Sequence, residues 1–126
     1  MFSYRHAFHA GNHADVLKHM TLMQICQYMT QKDKPVTYID THAGVGMYQL
    51  SNPMAQKSGE HETGISKLWE LWDNKGKRNA LPELLHQYLK FISDLNPSGE
   101  LKHYPGPPTV ASHHLREIAR LKIFSL

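Results

Sequence analysis

The sequence predicts an α/β domain in which a partial parallel sheet carries helices and an inserted helical subdomain. A β-branched run at 36–39 ends in an acid and a glycine turn, an order typical of a parallel strand whose carboxyl end lies at a binding site. Apolar residues recur at helical spacing on both sides of this run. An alternating stretch at 121–126 predicts a second strand that pairs beside the first.

Length and composition limit the class of protein. Residues 1–126 suit one domain, and 40% of them are apolar, which is enough for a core. Lys plus Arg number 14 and Asp plus Glu number 11, so the basic excess permits nucleic-acid binding without demanding it. The single cysteine, Cys26, excludes a disulfide framework, and we expect a buried structural thiol. We expect a cytoplasmic chain, because no signal-peptide core or membrane-spanning stretch of ~20 apolar residues is present.

The predicted first helix covers 14–29, and the predicted first strand follows at 36–39. Asn12 is the expected N-cap of the helix, and Asp15 suits its first turn because the helix dipole favours negative charge there. Pro35 suits the entry to the strand, where its missing N–H does not interrupt the hydrogen-bonding ladder.

Two amphipathic helices are predicted in the middle of the chain, at 64–72 and 82–95. Each carries apolar residues on one face, and Pro82 lies near the start of the second helix, where proline is tolerated. A polar, basic loop at 73–79 is expected between them. The pair is long for a simple crossover between strands, so we interpret 53–98 as a helical insertion within the domain.

The strand–helix pattern resumes after the insertion. We expect a short strand at 101–104, a rigid proline turn at 105–108, a helix at 109–120 and a terminal strand at 121–126. An apolar terminal strand would leave a bare sheet edge, which natural domains avoid. The pattern therefore predicts either a fragment of a larger domain or an edge covered by a second copy of the chain.

The turn after the first strand is the main candidate for a binding site. Gly44 and Gly46 lack the Cβ atoms that would hold a ligand away from the backbone. The third glycine of the dinucleotide fingerprint is missing, because Gln49 stands there. Asp40 would repel a phosphate but could face an ammonium group. The pattern favours a cofactor without pyrophosphate, such as S-adenosylmethionine; the alternative is an ordinary glycine turn.

The N-terminal segment is aromatic, basic and rich in histidine. Its histidines are His6, His9, His13 and His19. Zinc needs three or four converging ligands and the H-E-x-x-H pattern is absent, so we expect no metal. A nucleic-acid or cofactor surface fits better: Tyr4 suits stacking on an unpaired base, and Arg5, His6 and Lys18 suit neutralising phosphates. The alternative is a solvated N-terminal arm.

Other candidate residues have simpler interpretations. Trp69 and Trp72 are candidate stacking platforms, but their place on an apolar stripe favours core packing. Lys75, Lys77 and Arg78 suit either contact with a phosphate backbone or a solvated loop tip. The serines lack the G-x-S-x-G setting, and no pair of acids is placed for acid–base chemistry. The sequence therefore predicts no catalytic residue.

Long stretches of the chain resemble a known family. They are F-S-Y-R-H-A-F-H-A-G-N-H-A-D-V-L-K-H at 2–19, D-T-H-A-G-V-G-M-Y-Q-L at 40–50, S-G-E at 58–60 with G-I at 64–65, and S-G-E-L-K-H-Y-P-G at 98–106. Together they resemble the RlmJ-type family of bacterial S-adenosylmethionine-dependent methyltransferases. Its members methylate the exocyclic amine (N6) of an adenine in large-subunit (23S) ribosomal RNA. The resemblance runs the length of the chain and implies a Rossmann-like methyltransferase core with an inserted helical subdomain.

The resemblance implies cofactor and RNA contacts. His19 and His42 match positions of the family that contact the cofactor, and Asp40, Gly44 and Gly46 match its first cofactor motif. In the same way, Tyr4 matches a position implicated in contact with RNA. Arg5, His6 and Lys18 lie in the same N-terminal motif as Tyr4 and complete the expected RNA-binding set.

The chain also departs from the family. Pro107 stands where the family has a serine near the cofactor, and by register Ser125 stands where an acid holds the ribose hydroxyls. A neutral hydroxyl would hold a diol less firmly than a carboxylate. The catalytic D-P-P-Y motif is absent, and members are about twice as long, as expected for a core plus an insert.

We therefore expect the N-terminal part of a 23S ribosomal RNA adenine-N6 methyltransferase, inactive alone but keeping part of the S-adenosylmethionine site. The alternative is a non-catalytic RNA-binding or dimerisation remnant of that enzyme. In the second case a homodimer would form through the exposed C-terminal strand.

Overall fold

The structure is a computed structural model that describes residues 6–32, 34–51, 53–115 and 120–123. Its helices and strands are α1 His13–Met29, β1 Thr37–Asp40, β2 Met47–Gln49, α2 Pro53–Ser58, α3 Ile65–Asp73, α4 Lys75–Asn79, α5 Glu83–Asp94, β3 His103–Pro105, α6 Pro107–His114 and β4 Arg120–Ile123. Short 3₁₀ helices lie at His6–Phe8 and Glu60–Thr63. The predictions for Tyr4, Arg5 and Ser125 fall outside the described residues.

The described strands form two separate pairs. β1 and β4 are parallel, with Thr37 opposite Arg120. β2 and β3 are antiparallel, with Tyr48 opposite Tyr104. The predicted pairing of the last strand beside the first is confirmed. Residues 41–119 connect the two strands, because parallel strands require a long connection.

Helix α1 begins where the sequence predicts and buries one face. The Asn12 side chain accepts a hydrogen bond of 2.8 Å from the Asp15 backbone N–H, which confirms the predicted N-cap. The Cys26 side chain is buried, as predicted. The opposite face is also apolar: Leu17 is 67% exposed and Tyr28 69% exposed.

A hydrophobic cluster joins the helices to the β2–β3 pair. Its fully buried members come from α1, α3, α5, β3 and α6: Met23, Ile65, Tyr88, Leu89, Ile92, Tyr104 and Val110. Trp69 and Trp72 are buried in the same cluster, so the interpretation of both as core residues is confirmed. The region 53–98 thus shares its core with α1 and α6, and its origin as an insertion stays a prediction.

The middle of the chain contains both predicted helices and one that was not predicted. Helices α3 and α5 lie within one residue of their expected bounds. The expected loop at 73–79 was wrong, because Asn74 accepts a hydrogen bond of 3.2 Å from the Lys77 backbone N–H and so caps α4. The Arg78 guanidinium lies 4.3 Å from the Trp72 ring centroid, so this cation packs on the core rather than forming a solvated tip.

Two helices begin at a proline where the sequence predicted a turn or a chain break. Helix α6 begins at Pro107, inside the expected proline turn, because the fixed φ of proline suits the first helical turn. It ends at His114, and Arg120 belongs to β4. Pro53 likewise begins α2, where only a chain break was expected.

In none of the described ranges is a helix long and apolar enough to cross a bilayer.

Candidate functional site

Asp40 is the last residue of β1 and is half-buried at the carboxyl end of the parallel pair. Its Oδ1 accepts a hydrogen bond of 2.9 Å from the His42 backbone N–H, and its Oδ2 accepts one of 3.1 Å from the Tyr38 hydroxyl. Burial raises the pKa of Tyr38, and the charge of Asp40 raises it further. Tyr38 therefore stays a hydrogen-bond donor, and the carboxylate is held in a defined orientation.

His42 lies just beyond Asp40, with its imidazole exposed. Its Nδ1 is 2.8 Å from the Thr41 hydroxyl oxygen. A fixed carboxylate and an exposed imidazole at this edge offer an acceptor and a donor or acceptor to a ligand. This set can accept a hydrogen bond from an ammonium group or exchange hydrogen bonds with hydroxyl groups of a ligand.

The two glycines of the turn after β1 meet side chains of the protein itself. Gly44 has a positive φ of 67°, and a Cβ there would lie 3.2 Å from the Tyr48 hydroxyl. A Cβ on Gly46 would lie 3.1 Å from the Thr109 hydroxyl. Internal packing therefore accounts for both glycines, and their role in making room for a cofactor stays a prediction.

The turn between β3 and α6 packs directly on the glycine turn. The Gly46 carbonyl accepts hydrogen bonds from the Thr109 hydroxyl at 2.5 Å and from the Gly106 backbone N–H at 2.9 Å. A Cβ on Gly106 would lie 2.0 Å from the Val45 carbonyl oxygen, so only glycine fits there. The structure thus places Pro107, the next residue, beside the Gly44–Gly46 turn.

A largely buried polar cluster is formed by His6, Asp15 and His19 of the N-terminal motif together with Tyr88 and Tyr104. Asp15 is 2% exposed; its Oδ1 accepts a hydrogen bond of 2.9 Å from His6 Nε2, and its Oδ2 accepts one of 3.0 Å from the Gly11 backbone N–H. Burial by itself would raise the pKa of Asp15. The His6 hydrogen bond, the adjacent His19 and the Gly11 N–H outweigh burial and lower this pKa from 3.8 to about 2.

His19 is at the centre of this cluster and is 1% exposed. Its Nδ1 lies 3.1 Å from both the Tyr88 and Tyr104 hydroxyls, and Tyr88 donates to Tyr104 at 3.2 Å. Burial lowers the pKa of His19 from 6.5 to about 4, although the charge of Asp15 opposes this shift. His19 is therefore neutral at pH 7 and is closed to solvent, so a ligand cannot reach it without a local rearrangement.

Tyr48 connects the glycine turn to the buried polar cluster. Its hydroxyl faces Gly44, and its ring centroid lies 5.4 Å from that of His6. The structure therefore brings His6, His19 and the glycine turn into one region. Lys18, by contrast, points to solvent from α1.

Sequence reasoning missed Asp15, Tyr48, Tyr88 and Tyr104 as members of the candidate site. A signal existed for Asp15, because Asp15 and His19 are four residues apart and so share a face of α1. Tyr88 and Tyr104 carried none, because their hydroxyls meet His19 only after distant parts of the chain come together. Tyr48 lies four residues from Gly44, but its contact with His6 likewise joins distant parts of the chain.

Two further observations concern a separate cavity and possible metal ligands. A cavity of about 270 Å³ between Leu50, His61, Trp69 and Lys102 has no predicted site residue in its lining. His9 Nδ1 pairs with Glu60 at 2.6 Å, and within the described part of the chain no group of three His, Cys, Asp or Glu side chains is arranged to hold a metal ion.

A polar carboxyl edge of a parallel strand pair, followed by a G-x-G turn, is typical of α/β proteins that bind a nucleotide-type cofactor. The family model described as "Ribosomal RNA large subunit methyltransferase D, RlmJ" matches residues 33–126, and the chain belongs to this family.

Relatives extend the match to the whole chain. It is 45% identical over 126 residues to Ribosomal RNA large subunit methyltransferase J of Escherichia coli (strain K12). It is 46% identical over 127 residues to the Haemophilus influenzae protein of the same name. These alignments cover 42% and 43% of the relatives, so the chain spans less than half the length of the curated relatives it matches.

A solved structure supports the same fold. Protein LPL1258 from Legionella pneumophila str. Philadelphia 1 matches with a TM-score of 0.77 and 38% identity, over 90% of this chain and 39% of that one.

Proposed function

We propose that this chain is the N-terminal, cofactor-binding portion of an S-adenosylmethionine-dependent methyltransferase that methylates adenine N6 in 23S ribosomal RNA. Membership of the family supports the reaction class. The observation that carries the proposal is the placement of Asp40, held by Tyr38 and by the His42 backbone at the carboxyl end of a parallel strand. Such a protein would act in the bacterial cytoplasm, where its RNA substrate is.

The residues of this chain would bind and orient the cofactor. The Asp40 carboxylate would accept hydrogen bonds from its ammonium or hydroxyl groups, and the His42 imidazole would add a second polar contact. The Gly44–Gly46 turn and Pro107 would form the adjacent wall, where Pro107 contributes no hydroxyl. When bound, the cofactor supplies an activated methyl group for transfer to a nitrogen nucleophile.

Methyl transfer by this chain alone is not expected. In an adenine-N6 enzyme a D-P-P-Y motif accepts hydrogen bonds from the target amine and stacks on the flipped base, and this sequence has none. The proposed function of the chain is therefore half of the cofactor site together with part of the RNA surface. Lys18 is an exposed basic residue of that surface, which Tyr4 and Arg5 would extend, while His6 Nε2 is held by the Asp15 carboxylate.

Calorimetry with S-adenosylmethionine and S-adenosylhomocysteine tests the proposal. We expect Asp40→Asn to weaken binding about 10- to 100-fold, because a hydrogen bond to a charged group contributes roughly 1.5–3 kcal/mol. Asp94→Asn is the matched control, since Asp94 is an exposed carboxylate that pairs with Lys90. Equal binding by wild type and Asp40→Asn would contradict the proposed site, and binding as tight as that of the full-length E. coli relative would contradict a half-built one.

A second candidate function is a non-catalytic RNA-binding remnant. It is favoured by the filled space at Gly44 and Gly46, which the Tyr48 and Thr109 hydroxyls occupy. This candidate predicts salt-dependent binding to 23S ribosomal RNA fragments that S-adenosylhomocysteine does not change. A homodimer through the C-terminal strand is a variant of this candidate, and light scattering that shows a strict monomer at high concentration would exclude it.

A further inference from the structure

The Asp15 carboxylate is the shared anchor of two histidines. Its Oδ1 lies 2.9 Å from His6 Nε2 and 3.6 Å from His19 Nε2, while its Oδ2 is occupied by the Gly11 N–H. Asp15 and His19 are each only 1% exposed at the side chain, so water does not compete for these contacts. Removing a carboxylate from water is unfavourable unless it is paired and hydrogen-bonded, and this one is.

The surroundings of His19 restrict where its proton can be. Nδ1 faces the hydroxyls of Tyr88 and Tyr104, which can donate to it. Nε2 faces the carboxylate and has no hydrogen-bond partner among the described residues. A lone pair on Nε2 would be repelled by the nearby Asp15 carboxylate, because no water screens the two groups. An N–H on Nε2 is instead attracted to that carboxylate.

We propose that Asp15 is a positioning residue that fixes neutral His19 in the Nε2–H tautomer and holds His6 on the same carboxylate. The functional meaning of the two histidines rests on the proposed function, with His19 at a position that the family resemblance assigns to the cofactor and His6 in the N-terminal motif that it assigns to RNA. The tautomer itself does not depend on that function, so the two can fail separately.

Substitution of Asp15 by asparagine gives a sharp test. The side-chain oxygen must still accept from the Gly11 N–H, so the new NH₂ group faces both histidines. His19 Nε2 must then accept rather than donate, and its proton moves to Nδ1. Exchange of a carboxylate for an amide beside a histidine is known to preserve geometry while enforcing the wrong tautomer.

Nitrogen-15 NMR of the imidazoles reads the tautomer directly. In wild type we expect a protonated Nε2 and an unprotonated Nδ1 for His19, with the reverse in Asp15→Asn. The exposed Asp94→Asn variant is the control and should match wild type. A wild-type spectrum with the proton on Nδ1 overturns the proposal even if Asp15→Asn does not fold.

The affinity for S-adenosylhomocysteine tests the functional part. We expect Asp15→Asn to bind about tenfold more weakly than wild type, which corresponds to ~1.4 kcal/mol. A reversed tautomer with unchanged affinity overturns the positioning role. If wild type binds no S-adenosylhomocysteine, the proposed function fails, and the NMR spectrum still decides the tautomer.

Discussion

The Tyr104 ring lies almost flat on the His19 imidazole, with centroids 5.2 Å apart and planes inclined by 19°. Its hydroxyl is 3.1 Å from His19 Nδ1, as is the hydroxyl of Tyr88. Burial raises the pKa of both phenols, so both keep their protons. A phenol carries one proton, and Tyr88 donates its proton to Tyr104, so the Tyr104 hydroxyl donates to His19 and the Tyr88 hydroxyl is close enough to replace it.

This redundancy predicts non-additive effects of removing the hydroxyls. Tyr88→Phe or Tyr104→Phe alone should lower the free energy of unfolding by about 1 kcal/mol, because the remaining phenol still donates to His19. The double variant should lose roughly 1–3 kcal/mol more than the sum, because Nδ1 is then buried without a partner. Urea denaturation measures this coupling, with Tyr28→Phe on the exposed face of α1 as control. Simple additivity would show that the two hydroxyls act independently.

The buried state of His19 predicts a specific dependence of stability on pH. Its pKa is about 4 in the folded chain and 6.5 in the unfolded chain, so below pH 6.5 only the unfolded chain takes up the proton. The free energy of unfolding should therefore fall by up to about 3 kcal/mol as pH drops from 6.5 to 4. Urea denaturation across this range should show a smaller fall for His19→Gln. The exposed variant His13→Gln should behave like wild type; a parallel profile for His19→Gln would contradict the buried neutral histidine.

Gly106 is expected to tolerate no side chain. A Cβ there would lie 2.0 Å from the Val45 carbonyl oxygen, and a backbone atom cannot yield as a flexible side chain does. We expect Gly106→Ala to destabilise the chain by about 3 kcal/mol or more, as measured by thermal or urea unfolding. Gly76→Ala in α4 is the control: the nearest atom is 3.5 Å away, and alanine should stabilise a helix by roughly 0.5–1 kcal/mol. Equal stability of the two variants would refute the close approach.

Asn96 ties the end of α5 to β3. Its Nδ2 donates to the Ile92 and His103 carbonyls at 2.9 and 2.8 Å, and its Oδ1 accepts from the Lys102 and His103 N–H groups, both at 2.8 Å. Removal of the side chain would leave buried backbone groups without partners.

Asn96→Ala should therefore cost about 3 kcal/mol of unfolding free energy, because several buried hydrogen bonds are lost together. Chemical denaturation measures it, with exposed Asn79→Ala as the control. Asn96→Asp tests the donor half alone, since an aspartate keeps both acceptor oxygens but cannot donate to Ile92 and His103. A loss below about 0.5 kcal/mol in Asn96→Ala would show that the four contacts are not jointly formed.

Cys26 should be unreactive in the folded chain. The residue is 3% exposed, and burial raises the pKa of its thiol, so little thiolate is available to react. We expect labelling by a disulfide reagent to be slower by on the order of a hundredfold than in urea, where the chain is open. The variant Met23→Ala, which opens the same buried face of α1, should accelerate labelling. Wild-type labelling at the unfolded rate would contradict the packing of α1.

Elements governed by local periodicity were predictable. The N-cap at Asn12, the apolar stripes of α3 and α5 and the pairing of β4 beside β1 follow from the residue pattern, whereas the buried face of α1 does not, because both of its faces are apolar. The starts of α2 and α6 were missed, because they depend on where a proline stands relative to a helix. We interpreted Pro53 as a chain break and Pro107 as part of a turn, yet each begins a helix. Whether a proline interrupts the chain or begins a helix depends on the residues that follow it.

The residues of the candidate site also fall into those that a local sequence pattern indicates and those that only the fold brings together. Asp40 was identifiable, because a strand followed by an acid and a glycine turn is a local pattern. His42, like His19, was assigned to the cofactor by resemblance. The contacts of Tyr88 and Tyr104 with His19 and of Tyr48 with His6 were not identifiable, since each joins residues far apart in the chain. His19 was assigned to the cofactor by resemblance alone, and its burial beneath two phenols became visible only in the fold.

The hydrogen bonds to the Gly46 carbonyl have a mechanical consequence. Because the first turn of α6 is attached to this carbonyl through both Gly106 and Thr109, the two loops cannot be displaced separately. A ligand that displaces the segment after β1 must therefore also displace the start of α6. A spectroscopic label near Thr109 would therefore sense occupancy at Asp40 without touching the occupant.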